Sequence, residues 1–498
     1  MGTVVNYLIE RLKERVNMGH EKRNASVIRH LMRLMAAPGA PTAQASATQA
    51  AAWAESKSWY DLIGNEKVTV RDLRDLRAKT VLEGLCPGTS VAVFHDVSEL
   101  DFSRHVAKEE RMEIGNHHGK GYEYHPCVAW DPHARQFLGV LHDTVISAQG
   151  PDDASVVDYN GDPALADYTP EQREGLPFNH RHQVACHIRY LASLAPGQPM
   201  THVADREFDD VLAMAAAREV RHDFVFRAVG NRKVTVGEDA DACVRTLAEV
   251  VAALPMRPYK DLGLDARGHA VYGPSKPARV ATVSMGACSV LLDRPVSRGK
   301  RHNVKLDEPL RVNLVVIREL DPPPGADPLC WLLFTSLSID TPEQRAWVGA
   351  LYEQRWRIEE YFKLLKSGFQ IEHTHFQQPQ QVAKILVFYS LAAMALLAIK
   401  SELGIPATGP LDPASYARVR HAMKHPDDPT LDPDLCLFAM ILRCGGWLGR
   451  KTDPIGPTIL MRGILQLTGT LTLVAQFPQL IESLSSITRT KLKNAYSW

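Results

Sequence analysis

The sequence predicts an α/β protein, and three observations carry this prediction. First, the first half of the chain contains both helical segments and short apolar strands, of which the first three are expected to form a hairpin meander. These strands are VAVFH (91–95), HPCVAW (125–130), RQFLGVLH (135–142), MTHVA (200–204) and DFVFRAV (223–229). Second, residues 230–330 contain β-branched runs separated by Gly, Pro and basic residues, which indicates a β-rich module. Third, a long helix is predicted from Thr341 to about Lys366.

Helices are predicted on both sides of this region. Residues 1–35 have a helical pattern and are locally basic, with seven Lys or Arg against three Glu. Residues 44–85 return to helix, with Thr69 as the cap of the last part. The β-rich module ends at the breaker cluster DPPPGAD (321–327). After the strand WLLFTSLSI (331–339), helices separated by Pro-rich loops are predicted to dominate.

Three further segments have a clear local pattern. The stretch 149–176 is rich in Asp and Gly and is predicted to be a long loop. REFDDVLAMAAAREV (206–220) is predicted to be one helix. The uncharged apolar run Ile385–Ile399 has 15 residues, whereas a membrane span needs about 20. We therefore expect a buried helix there and no membrane partner.

Composition excludes several classes of protein. Of the 498 residues, 45% are hydrophobic and 23% charged, which is typical of a globular protein and not of a disordered or collagenous one. Lys plus Arg and Asp plus Glu both total 57, so any basic surface must come from local segregation of charge. The eight cysteines form no CxxC pair, and no signal-peptide pattern is present. We expect an intracellular protein with reduced thiols.

The predicted helix 341–366 carries the most informative pattern. Tyr352, Arg355, Glu359, Lys363 and Lys366 are spaced 3, 4, 4 and 3 residues apart. On a continuous helix they form one stripe roughly 80° wide, opposite an apolar face. One interpretation is a solvated surface with salt bridges from Glu359 to Arg355 and Lys363. The other is a metal-binding carboxylate flanked by cations that grip phosphate.

Two more carboxylates support the second interpretation. Asp96 follows VAVFH and Asp205 follows MTHVA, so each stands at the end of a buried strand. Ligands of α/β sheets bind at such ends, although a single Asp there is often only a turn or cap residue. Asp96, Asp205 and Glu359 together supply the hard oxygen ligands that Mg²⁺ or Mn²⁺ prefers. Two such ions about 3.5–4 Å apart suit displacement at phosphorus.

The helix pattern resembles a known signature. Tyr352, Arg355, Glu359 and Lys366 match the Tyr-x2-Arg-x3-Glu-x6-Lys motif of the DDE transposases of bacterial insertion sequences, most closely the cut-and-paste, hairpin-forming type. Other segments also resemble that family. They are VFHDVSELDF around Asp96, with Val97 and Ser98 in place of two threonines, DREFDD around Asp205, CWLLFTS around Trp331, and ILRCGGWLGRKTDPIGPTILMRG (441–463).

The resemblance implies a ribonuclease-H-like catalytic core interrupted by a β-rich insertion, with helical N-terminal and C-terminal domains. The implied divisions are a DNA-binding domain at 1–78, the first part of the core at 79–229, the insertion at 230–330, the second part of the core at 331–400 and a dimerisation region at 401–498.

The resemblance also implies a role for each site residue. Asp96, Asp205 and Glu359 would hold Mg²⁺, with Mn²⁺ as a substitute. Around them, other side chains would contact DNA. Arg355 and Lys366 would hold a phosphate, Tyr352 would bond the same backbone, and Trp331 would stack on a flipped base. Lys363 and Trp356 are further expected DNA contacts.

The implied reaction is metal-dependent cleavage at transposon-end inverted repeats, hairpin formation, hairpin opening and strand transfer into target DNA. A homodimer would act on paired ends, in the bacterial cytoplasm at the nucleoid. Two alternatives remain open. One is an inactive end-binding regulator, which the presence of all three carboxylates disfavours. The other is a stand-alone metal-dependent nuclease.

The motif GNHHGKG (115–121) lies outside these assignments. It is not a phosphate-binding P-loop, because the GK pair is not followed by Ser or Thr. Zinc binding by His117, His118 and His125 is the least favoured interpretation. A basic hairpin near DNA is favoured, and an ordinary exposed turn is the main alternative.

Overall fold

The structure is a computed structural model of the chain. It describes residues 10–467 except for 11, 37–49, 86–87, 116–117, 153–179, 231, 238–241, 265–269, 271–277, 293–307, 403–412, 426–427, 451–454, 457 and 465. The predicted loop at 149–176 therefore lies mostly outside the described residues, and residues 468–498 lie entirely outside them.

Three helices precede the sheet. They are α1 (Glu21–Ala36), α2 (Ala50–Ile63) and α3 (Val70–Leu82). The Thr69 hydroxyl accepts a hydrogen bond from the amide of Asp72 at 3.1 Å, which confirms Thr69 as the cap of α3.

A large mixed sheet forms the centre of the molecule, and within the described residues it has 14 strands. The strands are β1 (Val91–His95), β2 (Ser98–Asp101), β3 (Met112–Ile114), β4 (Gly119–Asp131), β5 (Gln136–Ser147), β6 (Gly150–Pro151), β7 (Met200–Ala204), β8 (Asp223–Arg227), β9 (Lys233–Val236), β10 (Cys243–Thr246), β11 (Arg257–Leu264), β12 (Arg279–Leu292), β13 (Leu310–Glu319) and β14 (Cys330–Thr335). All five strand segments predicted in the first half are strands in the structure.

The sheet order places two groups of strands side by side. One group runs β5-β4-β1-β7-β8, in which β1, β7 and β8 are mutually parallel and β4 is antiparallel to both of its neighbours. The second group continues from β8 through β14, β13, β12 and β9 to β10. The strands predicted at 230–330 therefore extend the same sheet.

Helices cover both faces of the sheet. The remaining helices are α4 (His180–Leu194), α5 (Val211–Glu219), α6 (Leu247–Ala253), α7 (Pro342–Gln354), α8 (Arg357–Lys363), α9 (Pro379–Glu402), α10 (Pro413–Lys424) and α11 (Pro433–Cys444). Side chains of α4 and α5 share one apolar cluster with β8 and β13, whereas α7, α8 and α9 pack into another with the N-terminal helices.

Helix α9 contains the long apolar run. Its segment Pro379–Leu397 is apolar and long enough to cross a membrane, but 78% of that segment is buried inside the fold. It packs against α1, α3 and β5. This environment favours the core helix that the sequence predicted.

Two predicted helices are interrupted. The segment predicted as one helix at 206–220 begins as a 3₁₀ turn (Arg206–Phe208), and α5 starts only after Asp210, whose side chain caps it. The predicted helix from Thr341 to about Lys366 was also wrong as a continuous element. It is divided into α7, α8 and a π-helical turn at Leu364–Gly368.

A local change in backbone hydrogen bonding separates α7 from α8. The amides of Arg355, Ile358 and Glu359 each bond a carbonyl three residues back, at 3.0–3.1 Å. Such i,i+3 bonds wind the chain more tightly than an α-helix, and the π turn that follows winds it more loosely. The charged stripe is therefore not a straight row.

Candidate active site

Asp96 and Asp205 lie next to each other because their strands are parallel neighbours. In the register of β1 and β7, His95 stands opposite Ala204. Asp96 follows His95 and Asp205 follows Ala204, so both carboxylates lie at the same edge of the sheet. Backbone amides also hold the two aspartate side chains in place. The Asp96 Oδ1 atom accepts from the Val97 amide at 2.9 Å, and the Asp205 Oδ1 atom accepts from the Glu207 amide at 3.2 Å.

Arg355 bridges the two aspartates from the junction between α7 and α8. Its Nη1 atom donates to Asp96 Oδ2 at 2.5 Å and its Nη2 atom donates to Asp205 Oδ2 at 3.3 Å. Among the described ion pairs, Arg355 is joined to these aspartates and not to Glu359. The surface salt bridge from Arg355 to Glu359, predicted for a straight helix, is therefore not the one that forms.

The electrostatics bring Glu359 into the same site. Burial raises the pKa of Asp96 to about 6, opposed by the charge of Arg355 and assisted by the carboxylates of Glu359 and Asp205. Burial by itself would lower the pKa of the Arg355 guanidinium. The electrostatic effects of Asp96, Tyr352 and Asp205 are larger than this effect of burial, and the pKa is raised. Three carboxylates thus share one electrostatic environment, and Glu359 is the exposed member.

The other two aspartates of DREFDD have structural roles. Asp209 is buried, pairs with Arg232 and accepts from the Val229 amide at 2.8 Å. Asp210 accepts from the Leu212 amide at 2.9 Å as the cap of α5. Only Asp205, among these three aspartates, faces Arg355.

The donor chemistry of this site fits a divalent cation. Asp96, Asp205 and Glu359 offer carboxylate oxygens only, which suits Mg²⁺ or Mn²⁺. The Oδ2 atoms of both aspartates already point to a cationic group, the Arg355 guanidinium. The three carboxylates are not among the described groups whose ligand atoms all lie within 4.8 Å of one another. A metal ion would therefore draw them closer and displace Arg355.

The two lysines of the stripe differ in their surroundings. Lys363 is exposed. The Lys366 ammonium donates to the Glu99 carbonyl at 2.5 Å and lies 3.6 Å from a carboxylate oxygen of Glu372. Trp356 is half-buried, with the Arg357 guanidinium 5.7 Å from its ring centre.

The aromatic residues of the motif are buried. The rings of Trp331 and Tyr352 pack edge to face, with centroids 5.3 Å apart, and both side chains are almost fully enclosed. Arg227 donates to the Tyr352 hydroxyl at 3.4 Å. In this conformation neither ring presents a face to a DNA base.

Sequence reasoning missed a buried ionic network behind α8. Asp143 on β5 accepts from Arg74 Nε and Arg77 Nη1, both at 2.6 Å. Arg74 also donates to Asp152 at 2.8 Å. Both arginines lie on α3, so the network fastens the N-terminal helices to the sheet.

The same network reaches the helix that carries Glu359. The Tyr124 hydroxyl donates to Asp143 at 3.0 Å and lies 3.0 Å from the Tyr361 hydroxyl. Tyr361 is two residues beyond Glu359 on α8. The alternating basic and apolar residues of VRDLRDLRAKTVL were the only sequence signal for this network, and they resemble an ordinary exposed helix face.

Sequence reasoning also missed a cluster of buried histidines. His117 lies outside the described residues, and His125 of the sheet is buried beside His95 on β1 and His187 on α4. These three histidines are far apart in the chain and have no motif spacing, so no pattern indicated that they would meet.

Part of the chain is similar to a described protein family. Residues 181–395 match the family model of the transposase DDE domain. The matched segment includes Asp205, Arg355 and Glu359, and Asp96 precedes it. This match supports a DNA transposase of the DDE class.

A comparison of folds gives a distant similarity. A cryo-EM structure of the piggyBac transposase synaptic complex with hairpin DNA aligns with a TM-score of 0.33 and 13% sequence identity. The alignment covers 74% of this chain and 60% of the length of that chain.

Proposed function

We propose that this protein is a DNA transposase that cleaves phosphodiester bonds at transposon-end inverted repeats and joins the freed ends to target DNA. One observation carries the proposal above the others. Asp96 and Asp205 follow adjacent parallel strands, and Arg355, four residues before Glu359, bridges them. The family match over residues 181–395 supports the same conclusion.

The sheet topology supports a ribonuclease-H-like core within this proposal. The five strands β5-β4-β1-β7-β8 have three parallel members beside an antiparallel pair. The two aspartates follow β1 and β7, at the carboxyl ends of parallel strands, where α/β sheets bind ligands.

The proposed chemistry divides between metal ions and side chains. Bound by Asp96, Asp205 and Glu359, Mg²⁺ or Mn²⁺ would activate the attacking oxygen and stabilise the leaving oxygen at phosphorus. Arg355, once released from the aspartates, would be free to donate both N–H groups to a phosphate. Lys363, which is exposed, and Lys366 would add charge to hold the DNA backbone.

The finer steps belong to the same proposal. Hairpin formation and its opening would use the same site, because each is a displacement at phosphorus. Trp331 and Tyr352 would contact DNA only after α7 moves relative to β14, since both rings are buried. Trp356 would be accessible without that movement. Two protomers, one on each transposon end, would act together in the bacterial cytoplasm.

A cleavage assay tests the proposal. A labelled duplex carrying the inverted repeat that flanks the gene is incubated with protein and Mg²⁺ or Mn²⁺ and resolved on a denaturing gel. The wild type and Glu360→Ala should nick the repeat boundary and then form a hairpin, whereas Glu359→Ala should do neither. Glu360 is the matched control because it pairs with Arg357 on the same helix.

Other outcomes separate the alternatives. Metal-dependent nicking without a hairpin or strand transfer would indicate a stand-alone nuclease. Tight binding of the repeat with no cleavage by the wild type would indicate an end-binding regulator. Cleavage that persists in Glu359→Ala would overturn the assigned site.

A further inference from the structure

Three buried histidines converge from three different elements beneath the sheet edge that carries Asp96. They are His95 on β1, His125 on β4 and His187 on α4, and one ring nitrogen from each lies within 4.8 Å of the others. All three side chains are completely buried. Such convergence of imidazoles is uncommon in a core, because each buried ring brings two polar nitrogens that need partners.

The strand register explains why the rings meet. His95 stands opposite Cys127, and His125 is two residues from Cys127 on the same strand, so both rings leave the same face of the sheet. His187 reaches that face from α4. Thr144, which stands opposite His125 on β5, shares the face as well.

Hydrogen bonds orient two of the rings through their Nε2 atoms. His95 Nε2 lies 2.9 Å from His202 Nδ1, and His202 Nε2 lies 3.0 Å from His222 Nδ1. His187 Nε2 lies 2.8 Å from Thr144 Oγ1. If each Nε2 carries the proton in these contacts, the Nδ1 atoms of His95 and His187 hold bare lone pairs.

Those two Nδ1 atoms are the unusual feature. Within the described part of the chain, neither the Nδ1 atom of His95 nor that of His187 has a hydrogen-bond partner. A metal-bound histidine has this arrangement, in which one nitrogen ligates and the other donates to a neighbouring group that fixes the ring.

We propose that His95, His125 and His187 form a second metal site, for a divalent ion of the Zn²⁺ class, separate from the carboxylate site. Three imidazoles suit Zn²⁺ and leave a fourth position for water, whereas Mg²⁺ prefers oxygen ligands. The bound ion would tie β1, β4 and α4 together directly behind Asp96. This proposal does not depend on the proposed function.

The protonation of His187 favours metal binding at neutral pH. Burial, with the nearby histidines, lowers the pKa of His187 well below its ordinary value. Protons therefore do not compete for its lone pair near pH 7.

Metal analysis of the full-length protein tests the site. Protein produced with Zn²⁺ and purified without chelators is dialysed against excess Mg²⁺, and its zinc content is measured. We expect about one Zn²⁺ per chain, retained in Glu359→Gln and in His30→Asn, and lost in His187→Asn. His30 is the matched control, since it is a buried histidine bonded to Ser58 among the N-terminal helices.

A spectroscopic measurement keeps the proposal testable if a histidine variant fails to fold. Co²⁺ added to the metal-free wild type should give the strong visible absorption of a four-coordinate site with three nitrogen ligands, and excess Mg²⁺ should not remove it. The proposal would be overturned if Co²⁺ gave only the weak absorption of an oxygen-ligated ion, and if Mg²⁺ or the Glu359→Gln substitution removed that absorption. A folded wild type that binds neither Zn²⁺ nor Co²⁺ would overturn it too, whatever the cleavage assay gives.

Discussion

The Arg355 guanidinium lies 2.5 Å from the Asp96 carboxylate, at the point where α7 gives way to α8. A second N–H group of Arg355 reaches Asp205. The arginine neutralises two carboxylates that would otherwise repel each other at the end of the parallel strands. It therefore competes for the same oxygens that a divalent cation needs.

Replacing Arg355 should strengthen metal binding by the DNA-free protein. Arg355→Gln removes a competing ion pair worth about 1 kcal/mol for a partly exposed pair. We expect Mn²⁺ affinity to rise roughly fivefold, measured by calorimetry at about pH 8, where the carboxylates are ionised. DNA cleavage should fall because the phosphate loses its donor.

Arg357→Gln is the control for this prediction, since Arg357 pairs with Glu360 on the same helix. Its Mn²⁺ affinity should equal that of the wild type. Unchanged or weaker Mn²⁺ binding in Arg355→Gln would mean that the arginine does not occupy the cation position.

Lys363 should contribute to DNA binding without contributing to stability. Its side chain is exposed on α8, one turn beyond Glu359. Lys363→Ala should weaken binding of the repeat duplex and reduce the slope of log K against log salt by about 1, as loss of one phosphate contact does. Lys233→Ala, at an exposed position on β9, should leave the slope unchanged. Equal slopes for both variants would remove Lys363 from the interface.

Asp143 should be a main support of the fold at neutral pH. Burial by itself would raise the pKa of Asp143, but Arg77 and Arg74 outweigh it and hold the pKa well below the ordinary value. Asp143→Asn leaves two buried guanidiniums without that charge and should cost about 3–5 kcal/mol in free energy of unfolding, measured by urea unfolding.

The pH dependence follows from the direction of that shift. A depressed pKa contributes stability above the unfolded value of about 3.9, and the contribution is lost as pH falls through the folded value. The difference between the wild type and Asp143→Asn should therefore shrink below about pH 4. Asp61→Asn, at an exposed position in α2, should change stability little at either pH. A pH-independent difference for Asp143→Asn would contradict the ionic origin.

Tyr124 and Tyr361 should be energetically coupled. Their hydroxyls are 3.0 Å apart, and Tyr124 also donates to Asp143. A double-mutant cycle with Tyr124→Phe and Tyr361→Phe should give a coupling of about 0.5–1.5 kcal/mol in the free energy of unfolding. The cycle of Tyr124→Phe with Tyr416→Phe should be additive, because Tyr416 bonds the Gly449 carbonyl and shares no partner with Tyr124. Additivity in both cycles would show that the contact does not hold α8.

The elements that the sequence predicted depend on neighbours within a few residues. Apolar runs that end in Asp placed Asp96 and Asp205 after β1 and β7, and a hydroxyl before an acidic turn placed Thr69 at the start of α3. The 3–4 spacing of charges placed Glu359 on a helix. In each case the local backbone preference and the side-chain pattern agreed, so neighbouring residues were enough to predict the element.

The tertiary structure alone decided what those residues contact. Arg355 and Asp96 are 259 positions apart, and no spacing rule predicts that they pair instead of Arg355 and Glu359. The enclosure of Trp331 and Tyr352, the Asp143 network and the three histidines likewise depend on which strands become neighbours and in what register. Local sequence sets the conformation of a segment, whereas burial and ion pairing are set by the packing of segments that are distant in the chain.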